Sequence, residues 1–265
     1  MSKVDPNKSL FYRPKLIKPQ DSFRILSFNI AHGRARAISQ FLTSKNKIEN
    51  NCKLIGDFLK TTDADLVLLQ EIDFKALWTN YLNQRLLINY DNHFPFFQEG
   101  QNNLSGNWVK MDYGNSILSK HEILSHENFP FEKKRIGGKG FQLAKIKWQE
   151  KDLSIINLHL HPYSRKMRNY QIDMLHDALL PIAKSYIIGG DFNMPINDPI
   201  LQSFIKKLNL NHPINESHTY EFLHWKERLD YILASPDIYW LQTEIIKTKL
   251  SDHLPLYQDF TWKKP

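Results

Sequence analysis

Short apolar runs that stop at, or enclose, an acid, an amide or an imidazole recur along this chain of 265 residues. "FRILSFN" is apolar until Asn29, and "DLVLLQE" until Glu71. "LSIINLHL" encloses His159, "YIIGGDFN" stops at Asp191 and Asn193, "RLDYIL" embeds Asp230, and "LSDHLPL" offers Asp252 and His253. One such residue is explained by a turn or a helix cap, since Gly-Asp and Asn are ordinary turn formers. Six segments are another matter, because each unsatisfied buried polar group costs about 1–3 kcal/mol. A convergent polar site at one edge of a sheet accounts for all of them.

The runs between these polar stops set the fold class. Strands are expected at 23–30, 65–71, 113–119, 141–148, 152–160, around 186–190, 228–234, near 238–247 and 255–262, and 141–148 with 152–160 reads as a hairpin. Helices are expected where Ile48, Cys52, Ile55 and Leu59 share a face, around 76–88, and after Ser164 to about 180 with Met167, Tyr170, Met174 and Ala178 on one face. A further helix begins at the cap Asp198 followed by Pro199. Strands outnumber helices and most neighbours look like hairpins, which favours an α+β sandwich over a doubly wound parallel fold. A polar, proline-broken arm over 1–22 followed by one domain over 23–265 is the expected organisation.

Composition narrows the setting. With 35 basic against 28 acidic residues the chain carries +7, a surplus that suits phosphorylated or polyanionic partners as well as a merely basic surface. The single cysteine, Cys52, excludes an intrachain disulfide and reads as a buried thiol. No apolar run approaches the roughly 20 residues of a membrane span, and the first twenty residues lack the apolar segment of a secretory signal. A cytoplasmic monomer is the expectation, with peripheral membrane contact or delivery to a host left open.

Taken in order, "SFNI", "LQEID", "YGNSILSK", "INLHLHP", "GGDFNMP", "RLDYIL" and "SDHLPL" resemble the endonuclease/exonuclease/phosphatase superfamily, the fold group of deoxyribonuclease I. The resemblance implies a four-layer sandwich, two packed mixed β-sheets flanked by helices. It implies Glu71 as principal metal ligand, with Asn29 assisting and Asp252 beside the metal or a second cation. Asp191 matches the residue that orients or deprotonates the attacking water, and Asn193 the one that holds it. His253 matches the histidine beside the scissile phosphate, oriented by Asp230, and His159 the histidine that contacts phosphate and protonates the leaving oxygen. The donor types suit a hard cation, Mg²⁺ with Mn²⁺ as substitute; "HLH" at 159–161 raises zinc, which a single cysteine and the lack of an "HxHxDH" pattern make the weaker choice. Where the superfamily often carries Thr before the strand histidine, this chain has Leu158.

The implied activity is hydrolysis of a phosphodiester, with the substrate open. Net charge and "EKKRIGGKG" (132–140) fit a nuclease as well as a hairpin with solvated lysines. "HLHPYSRKMRNY" resembles neutral sphingomyelinases, and phosphoinositides belong to the same membrane class. Asn115 and Arg165 are candidate substrate contacts, and Trp78, Trp108 and Trp225 candidates for a membrane-facing rim. A non-catalytic binding protein on the same fold is the remaining class.

Overall fold

The computed structural model describes residues 17–103, 110–132, 137–182, 185–213 and 217–263. Most of the 1–22 arm, Trp108 and the centre of "EKKRIGGKG" lie outside the described residues. In chain order, β1 (Phe23–Asn29) leads to α1 (Lys45–Lys60), β2 (Leu66–Ala76), α2 (Gln84–Ile88), β3 (Phe96–Gln101) and β4 (Met111–Ser119). Next come β5 (Ile123–Pro130), β6 (Gly140–Trp148), β7 (Lys151–His159), α3 (Arg165–Leu179) and β8 (Tyr186–Asp191). After α4 (Pro199–Leu208) and a small hairpin of β9 (Tyr220–Phe222) and β10 (Trp225–Glu227), the chain closes with β11 (Asp230–Ala234), β12 (Ile238–Ile245) and β13 (Leu256–Trp262).

These strands form two mixed sheets, ordered β12-β13-β1-β2-β4-β3 and β11-β8-β7-β6-β5, with the small hairpin apart. Ile25, Leu68, Ile117, Ile155, Ile187, Ile232 and Phe260 interdigitate between the sheets. Ile48, Cys52, Ile55 and Leu59 of α1 cover the outer face of the first sheet through Phe28, Val67 and Leu69. Ile172 and Leu175 of α3 and Leu201 and Phe204 of α4 cover the second through Ile156, Leu158 and Ile188. The result is a four-layer α+β sandwich, as the sequence led us to expect.

Several expectations need correction. β1–β2 and β7–β8 pair in parallel, joined by α1 and α3, so two strand–helix–strand units sit among the hairpins. The segment 76–88 is not one helix: β2 runs to Ala76, a single 3₁₀ turn follows, and α2 spans only Gln84–Ile88. On α3 the buried face is Gln171, Ile172, Leu175 and Leu179, while Tyr170 is exposed. Gln171 is buried because its side-chain oxygen accepts from the backbone N–H of His161, which an apolar count overlooks.

The parallel pairs matter for function because they align strand ends. Asn29 at the end of β1 pairs with Gln70 on β2, and His159 at the end of β7 pairs with Asp191 on β8. β11 runs antiparallel to β8 and begins at Asp230, opposite Asp191. β13 runs antiparallel to β1, so the loop before it delivers Asp252 and His253 to the same end. Two glycines permit this convergence. A Cβ on Gly189 would meet Leu68 of the other sheet at 2.5 Å, and one on Gly190 (φ +146) would meet the Leu158 carbonyl at 1.9 Å.

Candidate active site

Eight of the expected residues meet in one cleft. Asn29, Glu71, His159, Asp191, Asn193, Asp252 and His253 line a cavity of about 330 Å³, and Asp230 lies directly behind His253. Glu71 reaches the cleft through its backbone: the pairing of β2 with β4 slips between Gln70 and Ile72, and Glu71 takes a left-handed φ of 51°. That conformation is uncommon for a residue with a side chain and clusters at functional sites. Asn193 (φ 50) and His32 (φ 55) share it around the same cleft.

Asp191 is held from several sides. Its Oδ1 accepts from the Asn193 N–H at 2.9 Å and its Oδ2 from the Asn29 amide at 3.0 Å. Burial and the nearby Asp230 charge raise its pKa despite the opposing pull of His253. His253 Nδ1 lies 2.9 Å from Asp230 Oδ2, and its Nε2 is 3.8 Å from Asp191 Oδ2. Burial works against a charged ring, but Asp230 and Asp191 outweigh it and raise the His253 pKa. This ring is an imidazolium at neutral pH. Thr219 fixes the dyad by accepting from the Leu229 and Asp230 N–H groups, both at 3.0 Å, and the Tyr220 ring packs 4.9 Å from that of His253.

His159 is the opposite case. It is fully enclosed, and burial together with the Lys139 charge holds its pKa well below the ordinary value. Lys139 Nζ sits 3.4 Å from Nδ1, so Nδ1 accepts and the ring proton resides on Nε2, which is 3.5 Å from Asp191 Oδ2. A neutral ring in that tautomer is a hydrogen-bond donor rather than the imidazolium needed to release a proton at neutral pH.

Four residues that sequence patterning missed, Lys139, Arg34, His32 and Asp73, stand around the cleft residues, together with Trp78, which the sequence offered for a membrane-facing rim. Lys139 Nζ bonds Glu71 Oε1 at 2.9 Å and, with His32, keeps the half-buried Glu71 carboxylate ionised well below its ordinary range. Arg34 donates to Asp252 Oδ2 at 2.6 Å. His32 Nδ1 is 2.7 Å from Asp73 Oδ1 while its Nε2 faces Glu71 Oε2 at 3.8 Å. Trp78 donates to the other Asp73 oxygen at 2.8 Å. His32 in "NIAHG", Asp73 in "LQEID" and Lys139 in "GGKGF" each interrupt or border an apolar run, the signal that found the others.

Two expected substrate contacts stand elsewhere. Asn115 is fully buried, donates to the Gly140 and Asn157 carbonyls and accepts from Asn102, so its amide ties the two sheets together instead of facing the cleft. Arg165 is exposed on the first turn of α3, outside the set lining the cavity.

The donors fit a hard divalent cation. Glu71, Asp73, Asp191, Asp230 and Asp252 bring five carboxylates, answered by Lys139, Arg34 and the His253 imidazolium. An oxygen-rich pocket with an acidic surplus is what Mg²⁺ or Mn²⁺ requires. One set with closely grouped donors is Asp191, Asp230 and His253, all within 4.8 Å. There, His253 Nδ1 is already committed to Asp230, whereas a cation at Glu71 displaces only the ammonium of Lys139. Glu71 and Asn29, which both line the cavity, could hold it without that cost.

The model of the endonuclease/exonuclease/phosphatase family matches residues 26–253. The chain belongs to that family. Members of that family are typically hydrolases that act on phosphoester bonds. The fold is shared with an endonuclease/exonuclease/phosphatase from Bacteroides vulgatus at a TM-score of 0.71 and 16% identity, covering 91% of this chain and 99% of that one. It is also similar to a mannosyl-6-phosphatase from Bacteroides thetaiotaomicron (TM-score 0.69, 13% identity, 91% and 100% covered). A humanized D. rerio TDP2 aligns at TM-score 0.64 and 16% identity, again over 91% and 100%. No curated protein matches the sequence. Among the described residues, no helix is long and apolar enough to cross a membrane.

Proposed function

We propose that the protein is a Mg²⁺- or Mn²⁺-dependent hydrolase of phosphodiesters. One observation supports this above the rest: Asp191, a base of raised pKa, lies between an Asp230–His253 dyad and the Glu71–Asn29 corner within one cleft. A bound cation supplies Lewis-acid polarisation of a phosphoryl oxygen and a template for the ester.

The chain's own groups divide the remaining work. Asp191, fixed by Asn29 and the Asn193 backbone, orients the attacking water and takes its proton. The His253 imidazolium, aligned by Asp230, stabilises charge developing on the phosphoryl oxygens. His159 presents a neutral Nε2–H to the phosphate, and Lys139 and Arg34 neutralise its charge. His253, as the charged ring, is the source of a proton for the leaving oxygen. Asp252 closes the cleft through Arg34 and Ser251.

The test is a substrate panel of plasmid DNA, single-stranded RNA, sphingomyelin and phosphoinositides, each with Mg²⁺, Mn²⁺ or EDTA. Hydrolysis of at least one substrate, abolished by EDTA and by Glu71→Ala, is expected. No turnover of any, with Glu71→Ala indistinguishable from wild type, leaves a binding protein on an enzyme's fold.

A further inference from the structure

The cleft opens at the end of the sandwich where β1, β7 and β8 finish and β11 and β13 begin, so the loops joining these strands surround it. Those loops are unusually apolar at their tips. Ile38, Phe41 and Leu42 lie in the β1–α1 connection, Tyr163 in the β7–α3 connection, and Leu223 and Trp225 on the β9–β10 hairpin. Each exposes between 65% and 92% of its surface, in a molecule whose other large apolar side chains are mostly buried or half-exposed. Leu223 is raised on a left-handed turn (φ 54), a costly conformation for a leucine left 78% exposed. Trp225 is steadied by its indole N–H on Glu227 and, with Tyr163, also lines the cleft.

The ground between these tips is cationic. A groove of about 510 Å³ beside the cleft is lined by Arg34, Arg36, Lys47 and Lys249, with no acid in its wall. Helix α1 starts with Lys45 and Lys47 and α3 with Arg165 and Lys166, and neither has an acid in its first turn. Cations at a helix N-terminus oppose the macrodipole and lower helix stability, so their placement adds to a positive end instead of offsetting it. Two local acids answer part of this charge: Asp252 bonds Arg34 at 2.6 Å, and Glu221 is shared between Arg36 at 3.3 Å and Lys226 at 3.8 Å.

We infer that this end of the molecule docks on an anionic lipid bilayer, with the cleft facing the headgroups. Aliphatic tips enter the acyl boundary while the surrounding lysines and arginines meet anionic headgroups, the pattern of a peripheral membrane surface. A nucleic-acid strand takes the same cations but has no use for Ile38, Leu42 and Leu223 raised into solvent. That the substrate is a headgroup phosphodiester rests on the proposed hydrolase function; the docking surface stands without it.

Two readouts separate these claims. Sedimentation with phosphatidylcholine vesicles, with or without phosphatidylserine, reads docking; hydrolysis of bis(p-nitrophenyl) phosphate, a small soluble diester, reads the cleft. Wild type is expected to pellet with the serine-lipid vesicles and to be released by salt. Each lysine near an anionic leaflet contributes roughly fivefold in affinity, so Lys45→Glu with Lys47→Glu is expected to weaken docking at least 25-fold (about 5 × 5). Ile38→Asp with Leu42→Asp, and Leu223→Asn, are expected to reduce it by tenfold or more while soluble-diester turnover is unchanged. Failure to pellet with either vesicle, or variants that pellet like wild type, overturns the inference. So does a gel-filtration dimer dissociated by the Leu42 change, or binding to duplex DNA that exceeds vesicle binding. Docking without any diester turnover preserves the surface and sinks the hydrolase function instead.

Discussion

His253 and Asp230 form a buried pair, Nδ1 to Oδ2 at 2.9 Å, with both side chains nearly closed to solvent. The carboxylate raises the pKa of the ring, so the imidazolium persists as pH rises. Asp230→Asn keeps the shape and removes the charge, which lowers that pKa. The charged ring is then lost at lower pH, and the alkaline limb of the kcat/KM profile moves to lower pH. Removing the ring altogether with His253→Ala is expected to lower kcat by roughly 10²–10³. A D230N profile superimposable on wild type contradicts the role given to the pair.

His32 and Asp73 stand behind Glu71. The ring is anchored through Nδ1 at 2.7 Å and faces Glu71 with Nε2, while Trp78 and Gln84 hold the aspartate and its backbone. Partners that orient a metal ligand typically carry 10–100-fold in metal affinity. His32→Ala and Asp73→Asn are therefore expected to weaken Mn²⁺ binding by about that factor, measured by calorimetric titration. Unchanged Mn²⁺ affinity places the dyad in fold maintenance only.

Asn115 is expected to matter for stability more than for turnover. Its amide bridges Asn102 on one side and the Gly140 and Asn157 carbonyls on the other, within a polar seam linking the sheets. Asn115→Ala leaves buried carbonyls unanswered, a loss of about 1–3 kcal/mol. The urea midpoint should fall accordingly, with kcat per folded molecule nearly unchanged. A kcat loss with an unaltered midpoint would return Asn115 to the substrate.

What was legible in the sequence follows from contrast. Asp191 and His159 stand out because strong apolar strands carry them, and Ser164 and Asp198–Pro199 announce helices by cap chemistry that the structure retains. β3 and β5 were invisible because both are sheet edges: "FFQEGQ" exposes its phenylalanines and "ILSHENFP" is largely polar, so neither alternates. Asp73 escaped for a different reason. The bulge at Glu71 breaks the two-residue period of β2 without a glycine to mark it, so the faces beyond it cannot be counted from the sequence. Lys139 looked like a solvated hairpin lysine, and only the packing of the sheets brings it 68 residues across to Glu71.

At the start of β1, away from the cleft, Arg24 is gripped by Asp259 of β13. Nε and Nη2 bond the two carboxylate oxygens at 2.7 and 2.8 Å, Nη1 reaches the Thr62 carbonyl at 2.9 Å, and the guanidinium lies over the Tyr257 ring. Desolvating both ions offsets most of their attraction, so the pair is weak evidence of net stabilisation, but breaking it leaves a buried charge without its counter-ion. Asp259→Ala is expected to cost about 3–5 kcal/mol in the unfolding free energy. The double change Arg24→Met with Asp259→Leu removes both charges and should recover much of that loss. Soluble-diester turnover per folded molecule should hold in both, since neither residue touches the cleft. A double variant no more stable than Asp259→Ala means that the bidentate geometry, and not the orphaned arginine, sets the cost.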